Sequence, residues 1–309
     1  MKLGYTVALA AAVSLFAASA YAQGQDFSKV EIKTTPLGHN VYMLEGQGGN
    51  MTVAVGNDGV IQVDGEFAPL HDKIAAAVAK VSGGKPVKYL INTHFHGDHT
   101  GGNENFAKDG ITVVAHQNLA LRLEHGSTNG MSGQKTAPAP KGAIPTKTYT
   151  TEGLQLMVDG QSAMVNHPAS AHTDTDSFVY FPAANVIATG DVVSTGNRYV
   201  TIDYANGGSI NGIISTVETY IKMGDDQTKY VPGHGELANK ADLQKYHDML
   251  VRVRDSVQAE IKSGKTEDQA VADKPLAPIG AQLKTNQMAD DAMVKMVYRS
   301  LKGVKANKA

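Results

Sequence analysis

The sequence predicts an α/β fold with two β-sheets packed inside outer helices. Short apolar runs broken by Gly, Asn and Asp follow one another after residue 40, and strands leading into a helix return in the second half of the chain. Beyond Gly235 apolar residues recur every three or four positions, the period of a helix buried along one face.

Strands are read at Val41–Glu45, Met51–Val55 and 60–64, each bounded by turn-forming residues. A helix follows from residue 70 to about 81, stopped by Ser82-Gly83-Gly84, and then the apolar strand Val87–Ile91, with Asn92 after it. In the second half, strands are read at Leu154–Val158, 163–166, Phe178–Phe181 and 186–188. Ser209 supplies the hydroxyl wanted at an N-cap, so a helix is predicted from there to about Met223, before a last strand at 229–231. Leu243, Tyr246, Leu250, Val253, Val257 and Ile261 share one face of a long helix. Thr266 and Gln269 make a capping-box pair, and another amphipathic helix runs from Met288 to about Leu301, ended by Gly303. Residues 126–149 are rich in Gly, Ser, Thr, Pro and Lys without periodicity. A loop that long inside a compact domain is usually functional, so the segment is read as a mobile flap.

With 309 residues, the chain is long enough for one large α/β domain or two modest ones. Its 42% hydrophobic and 19% charged residues are those of a soluble globular protein rather than a disordered one. A net charge of −2 without a basic run leaves no electrostatic footprint for nucleic acid or an anionic membrane, which points to a small-molecule substrate as the partner. Met1-Lys2-Leu3, an apolar stretch to about Ala18 and the small-residue pattern Ala20-Tyr21-Ala22 read as a cleavable secretory signal over residues 1–22, with Ala20 as the other cleavage position. The expected location is the periplasm or outside the cell, with no stable membrane insertion because the apolar stretch is too short to span. An oxidising compartment permits disulfides, yet the chain has no cysteine, so any metal ligand must be His, Asp or Glu.

Those residue types concentrate in His94-Phe95-His96-Gly97-Asp98-His99, just after the strand Val87–Ile91 and before Thr100-Gly101-Gly102. Three histidines and an aspartate within six positions cannot all be ordinary core residues, because each buried polar group would need its own partner. A metal satisfies them together. Further ligand-type residues follow later strands singly: His172, Asp191 and His234. Ligand crevices of open α/β sheets lie beyond the carboxyl ends of strands, where residues distant in sequence can meet.

In that order, His94-x-His96-x-Asp98-His99, His172, Asp191 and His234 resemble the motif set of the metallo-β-lactamase superfamily, from about Val41 to Gly235. The resemblance implies an αββα sandwich, two mixed β-sheets flanked by helices, with the metal site at one edge between the sheets. It implies a superfamily domain over 23–239 and a C-terminal helical extension, 240–309, packed on it. By the same carry-over His94, His96 and His172 hold one metal, Asp98, His99 and His234 hold a second, and Asp191 bridges both. Such ligands suit Zn²⁺, Mn²⁺ or Fe²⁺, and zinc, the commonest hydrolytic choice, is expected at two ions per chain, with a metal-bound hydroxide as nucleophile and Asp98 as the catalytic residue that orients it or carries its proton. The implied activity is hydrolysis of a cyclic amide or ester, with β-lactam opening the leading specific case and lactone or thioester hydrolysis beside it. Asp191 stands where well-known β-lactamases of the superfamily carry a cysteine, and Val192-Val193-Ser194 follows in place of a nearby lysine, which favours the lactonase and thioesterase pattern. A mononuclear iron persulfide dioxygenase and a non-catalytic metal-binding protein are the remaining readings.

Around the motif, Asp64 is either a carboxylate that fixes a ligand histidine's tautomer or a turn-former before Gly65. Asp176 is expected to support the loop after His172, where Thr175 replaces the glycine common in relatives. His116 and His167 are read as structural, and His39, His71, His125 and His247 as surface residues. Arg198, Tyr199 and Asn206 lie in a Gly- and Asn-rich segment after Asp191 and are the candidate substrate contacts, against the alternative of a plain surface loop.

Overall fold

The computed structural model describes residues 26–304, so the secretory signal expected over 1–22 lies outside the described residues. The first sheet opens as an antiparallel meander of β1 (Lys33–Gly38), β2 (Val41–Glu45), β3 (Met51–Val55) and β4 (Val60–Val63). Parallel pairing needs a crossover. α1 (His71–Ser82) supplies it to β5 (Val87–Ile91), and the short helices α2 (Gly97–Thr100) and α3 (Asn103–Lys108) carry the chain on to β6 (Thr112–His116). α4 (Gln117–His125) and a small hairpin, β7 (Ser127–Thr128) with β8 (Lys135–Thr136), precede β9 (Lys147–Tyr149), which pairs parallel to β6. The order across the sheet is β1-β2-β3-β4-β5-β6-β9.

The second sheet runs in sequence order through β10 (Leu154–Val158), β11 (Gln161–Asn166), β12 (Phe178–Phe181) and β13 (Val186–Ser194). α5 (Ile210–Met223) then crosses to β14 (Lys229–His234), which pairs parallel to β13. Both sheets are therefore mixed. Helices α6 (Lys240–Lys262), α7 (Glu267–Ala272), α8 (Ala277–Leu283) and α9 (Gln287–Leu301) complete the described chain. None of the described helices is long and apolar enough to cross a membrane.

Three apolar layers hold this arrangement. Val41, Ile61, Val114, Val165, Phe181 and Val231 fill the space between the two sheets. Leu44, Val53, Ile74, Val78 and Phe106 pack α1 and α3 on the outer face of the first sheet, and Ile187, Ile213, Tyr220, Leu250 and Val297 join α5, α6 and α9 to the second. The result is the expected helix-sheet-sheet-helix order. Strand β3, buried at every position, is apolar on both faces because it is covered on both, whereas β10 alternates and leaves Met157 exposed.

Local signals place most boundaries. Ser209 caps α5 by accepting from the Gly212 amide, and Thr266 with Gln269 forms the capping box of α7. Asn239 with Asp242 makes a second capping box that starts α6. β13 runs to Ser194 rather than ending near 188. Thr189, Gly190 and Asp191 break its apolar pattern, but pairing with β14 continues through Gly190 to Pro232 and Ser194 to His234. Residues 126–149, read as a mobile flap, contain the β7–β8 hairpin and β9. The Gly130 carbonyl accepts from the Tyr204 hydroxyl and from Arg299, and the Thr128 carbonyl accepts from Asn206. His71, expected at the surface, is buried edge-on against Phe106 with Nε2 2.8 Å from Asp109 Oδ2.

Candidate metal centre

After β5 the chain bends through Thr93–Phe95, passes His96 in extended conformation and turns into the single-turn α2, which carries Asp98 and His99. His172 comes from the loop before β12, Asp191 from within β13 and His234 from the end of β14. The seven side chains form two groups: His94, His96, His172 and Asp191; and Asp98, His99 and His234. Asp191 joins them. Its Oδ2 lies 3.7 Å from His94 Nε2 and 3.6 Å from His172 Nε2, while Oδ1 lies 3.1 Å from His99 Nε2 and 3.5 Å from His234 Nε2.

These separations fit metal coordination. His96 Nδ1 stands 3.1 Å from His94 Nε2 and 3.0 Å from His172 Nε2, and Asp98 Oδ2 stands 3.1 Å from His234 Nε2 and 3.8 Å from His99 Nε2. A tetrahedron of ligands at 2.0–2.1 Å from a central ion has edges of about 3.3 Å. His99 Nε2 and Asp191 Oδ1 are buried without a hydrogen-bond partner among the described residues, although only 3.1 Å apart. Two such atoms near each other but not bonded are aimed at a common third point, and buried polar groups of this kind call for an ion.

The electrostatics agree. Burial alone would hold His99 neutral, but the carboxylates of Asp191, Asp64 and Asp98 outweigh it and raise its pKa well above the ordinary value. For His234, burial is likewise outweighed by the adjacent carboxylates of Asp191 and Asp98, which lift it to about 9. Asp98 goes the other way: burial is overcome by the charges of His99 and His234, which bring it down to about 2. His94, with burial and then His99 acting against its charged form, falls well below the usual range. The cluster thus holds charged carboxylates that protons now balance and that cations can balance instead.

The neighbouring residues fix the ring orientations. Asp64 does both things its sequence position allowed: its backbone is left-handed (φ 61°), and its carboxylate accepts from His99 Nδ1 at 2.8 Å, the Thr93 amide at 2.8 Å and the Thr93 hydroxyl at 2.7 Å. His172 Nδ1 donates to the Thr201 carbonyl at 2.7 Å. Asp176 accepts from the amide and hydroxyl of Thr173, and the Thr175 hydroxyl accepts from the Phe95 amide. Glu66, which sequence reasoning missed, is fully buried at φ 50°, and its Oε2 accepts from the amides of Gln47 and Gly48. Burial raises its pKa against the pull of those two amides. The loop it holds crosses the site so closely that a methyl group at Gly49 would overlap the His99 ring, and on β14 a methyl group at Gly233 would strike Asp191 Oδ1.

The substrate contacts read from sequence are corrected in part. Asn206 is 3% exposed, and its amide is used by Arg122, Thr128 and Asp203, so it has no free polar group for a ligand. The Tyr199 hydroxyl bonds Asp290 of α9 at 3.0 Å. Arg198 is exposed. The opening of the site is marked instead by the ligands: His94, His99 and His172 are at most 1% exposed, whereas Asp98, His96 and His234 are 29%, 27% and 26% exposed.

Residues 34–256 match the family model described as the metallo-beta-lactamase superfamily. The chain belongs to the metallo-β-lactamase superfamily. It is 31% identical over 186 residues to a 2,4-dinitroanisole O-demethylase subunit alpha from Nocardioides sp., covering 59% of this chain and 52% of that protein. It is 26% identical over 172 residues to a hydroxyacylglutathione hydrolase from Polaromonas sp., covering 55% and 57%. The chain thus spans about half the length of the curated relatives it matches. Among solved structures, a metallo-beta-lactamase from Pontibacter korlensis superposes with a TM-score of 0.58 at 17% identity over 71% of this chain and 99% of its own. The sec-alkylsulfatase Pisa1 from Pseudomonas sp. gives 0.66 at 16% identity over 90% of this chain and 51% of its own. At these identities the likeness is one of fold.

Proposed function

We propose that this superfamily member is a hydrolase that holds two zinc ions and cleaves an acyl ester or thioester, with β-lactam opening as the neighbouring alternative. The observation that carries the reading is Asp191, whose two oxygens face the two ligand groups separately. Two divalent cations bound there would lower the pKa of a shared water toward about 7 and polarise the carbonyl under attack. The residues supply the rest. The exposed side of Asp98, His96 and His234 admits the substrate, and the buried side of His94, His99 and His172 keeps bulk water from the ligands. The Asp98 carboxylate orients the attacking water and accepts its proton. As the water oxygen bonds to the acyl carbon and the bond to the leaving oxygen or sulfur breaks, the proton passes to that leaving atom.

A carboxylate at 191, with no cysteine in the chain, and a relative named hydroxyacylglutathione hydrolase both support the thioester over the β-lactam. The relative named 2,4-dinitroanisole O-demethylase adds an activated aryl ether as a second substrate class, cleaved to a phenol and an alcohol by the same water. The test is turnover of a thioester, a lactone, a chromogenic β-lactam and 2,4-dinitroanisole by zinc-loaded protein, with a chelated control. Chelator-sensitive cleavage of the thioester or lactone above the other two is the expected result. Loss of the hydrolase reading would follow from two tightly bound ions with no turnover of any of the four, or from one iron with oxygen uptake on a persulfide.

A further inference from the structure

The segment between β13 and α5 carries no ligand, yet it grips two of them. His172 Nδ1 donates to the Thr201 carbonyl, the Asp203 amide donates to the His172 carbonyl at 3.0 Å, and His96 Nε2 lies 3.0 Å from Asp203 Oδ2. His96 Nδ1 is the nitrogen facing His94 and His172, so its Nε2 is the nitrogen left to carry the proton. The same Asp203 Oδ2 accepts from Asn206 Nδ2 at 2.8 Å. Asn206 Oδ1 in turn accepts from Arg122 Nη1 at 2.9 Å, and Arg122 Nη2 is bidentate to Asp174 at 2.8 Å to each oxygen. The Asp174 amide closes the ring by donating to the Asn206 carbonyl at 2.9 Å.

From this chain of contacts we infer that Asp203 is a positioning residue that fixes His96 in the tautomer whose Nδ1 lone pair faces the first ligand group, and that Asn206, Arg122 and Asp174 hold its carboxylate in place. The inference rests on the metal reading above. Its physical basis is general: a carboxylate on the far nitrogen of a ligand imidazole sets the tautomer and ring plane and raises ligand basicity. His96 needs such a device more than its neighbours. It is the most exposed imidazole of the first group, 27% against 1% for His94 and His172, so packing alone restrains it least. Asn206 cannot serve another partner while both ends of its amide are in use, which makes the carboxylate's orientation single-valued.

The test compares wild type, Asp203→Asn and Asp203→Ala for the affinity of each of two sites by chelator competition, and for the visible d–d bands of the cobalt-loaded protein. Asp203→Asn keeps the shape and is expected to fold. Its side-chain amide must satisfy both His96 and Asn206 through one carbonyl oxygen. Expected are a 10- to 100-fold loss at one site only, of the order found when such partners are removed, together with altered cobalt bands in both variants, larger for Ala than for Asn. A purely structural role would instead lower stability while leaving the bands of the folded protein unchanged, and that result overturns the inference. So does wild-type affinity in both variants, with the metal reading intact. A wild-type protein that takes up neither zinc nor cobalt overturns both readings together.

Discussion

His116 shows what a histidine does in this molecule when it is not aimed at the cluster. Its Nδ1 caps α4 by accepting from the Asn118 amide, and its ring lies flat on His167 with centroids 3.5 Å apart and an 8° interplanar angle. Burial, and then the neighbouring His167, bring its pKa down to about 4. The folded state therefore excludes a proton that the unfolded chain binds near its ordinary pKa of about 6.5. The stabilisation is fully present above about pH 6.5 and is lost as pH falls toward 4. His116→Asn keeps a capping oxygen without the titration, so its unfolding free energy should depend less steeply on pH in that window, by at most about 1.4 kcal/mol per pH unit, the slope of one proton. Denaturant midpoints of both proteins at pH 7 and pH 5 measure this, and parallel slopes would refute it. Residues also differ in how visible they were beforehand. His94 to His99 stand out because three histidines and an aspartate within six positions have no ordinary explanation. Asp203 and Glu66 carry no such signal. Each is one acid among turn residues, and only the fold brings Asp203 to His96, 107 positions away.

At the level of elements, the long C-terminal helix was readable because its apolar positions obey one period over its whole length. Leu243, Leu250, Val253 and Val257 are all buried against the second sheet and its helices. Leu250 is fully buried, and truncation to Ala in such a site costs about 2–5 kcal/mol, depending on how far the cavity relaxes. Leu250→Ala should lower the unfolding free energy, measured by denaturant titration, by that amount while the folded protein keeps its metal affinity, since the helix supplies none of the candidate ligands. A shift below about 1 kcal/mol would mean that α6 is not integral to the core. Other elements escaped sequence reading for identifiable reasons. β1 contains Pro36 and alternates poorly, β9 exposes two of its three residues, and α4 begins at a histidine cap rather than at Ser, Thr, Asp or Asn. In α6 the cap was legible in principle, because Asn239 and Asp242 repeat the capping-box spacing with different side chains.

For the molecule as a whole, the ligand set ties the two sheets together. Asp64 and residues 94–99 follow strands β4 and β5 of the first sheet, Asp191 and His234 lie in strands of the second, and Asn50 Nδ2 joins the two sides by donating to the Pro232 and Gly235 carbonyls at 2.9 Å each. An ion bound across that seam stabilises only the assembled state. At a free concentration 100 times its Kd, each ion should add about 2.7 kcal/mol, or roughly 5–10 °C in Tm, so a chelator should lower the thermal midpoint by at least that much. An unchanged midpoint would mean that no ion spans the sheets. The same seam bears on how the protein is made. His234 follows His94 by 140 positions (234 − 94), which is roughly 7 to 28 s of synthesis at 5–20 residues per second. Until it ends the nascent chain lacks His234, and for its earlier part His172 and Asp191 as well, so the four candidate ligands of residues 94–99 are displayed before the set is complete. A site that needs residues from both sheets can therefore close on an ion only after the last strand, β14, has been made.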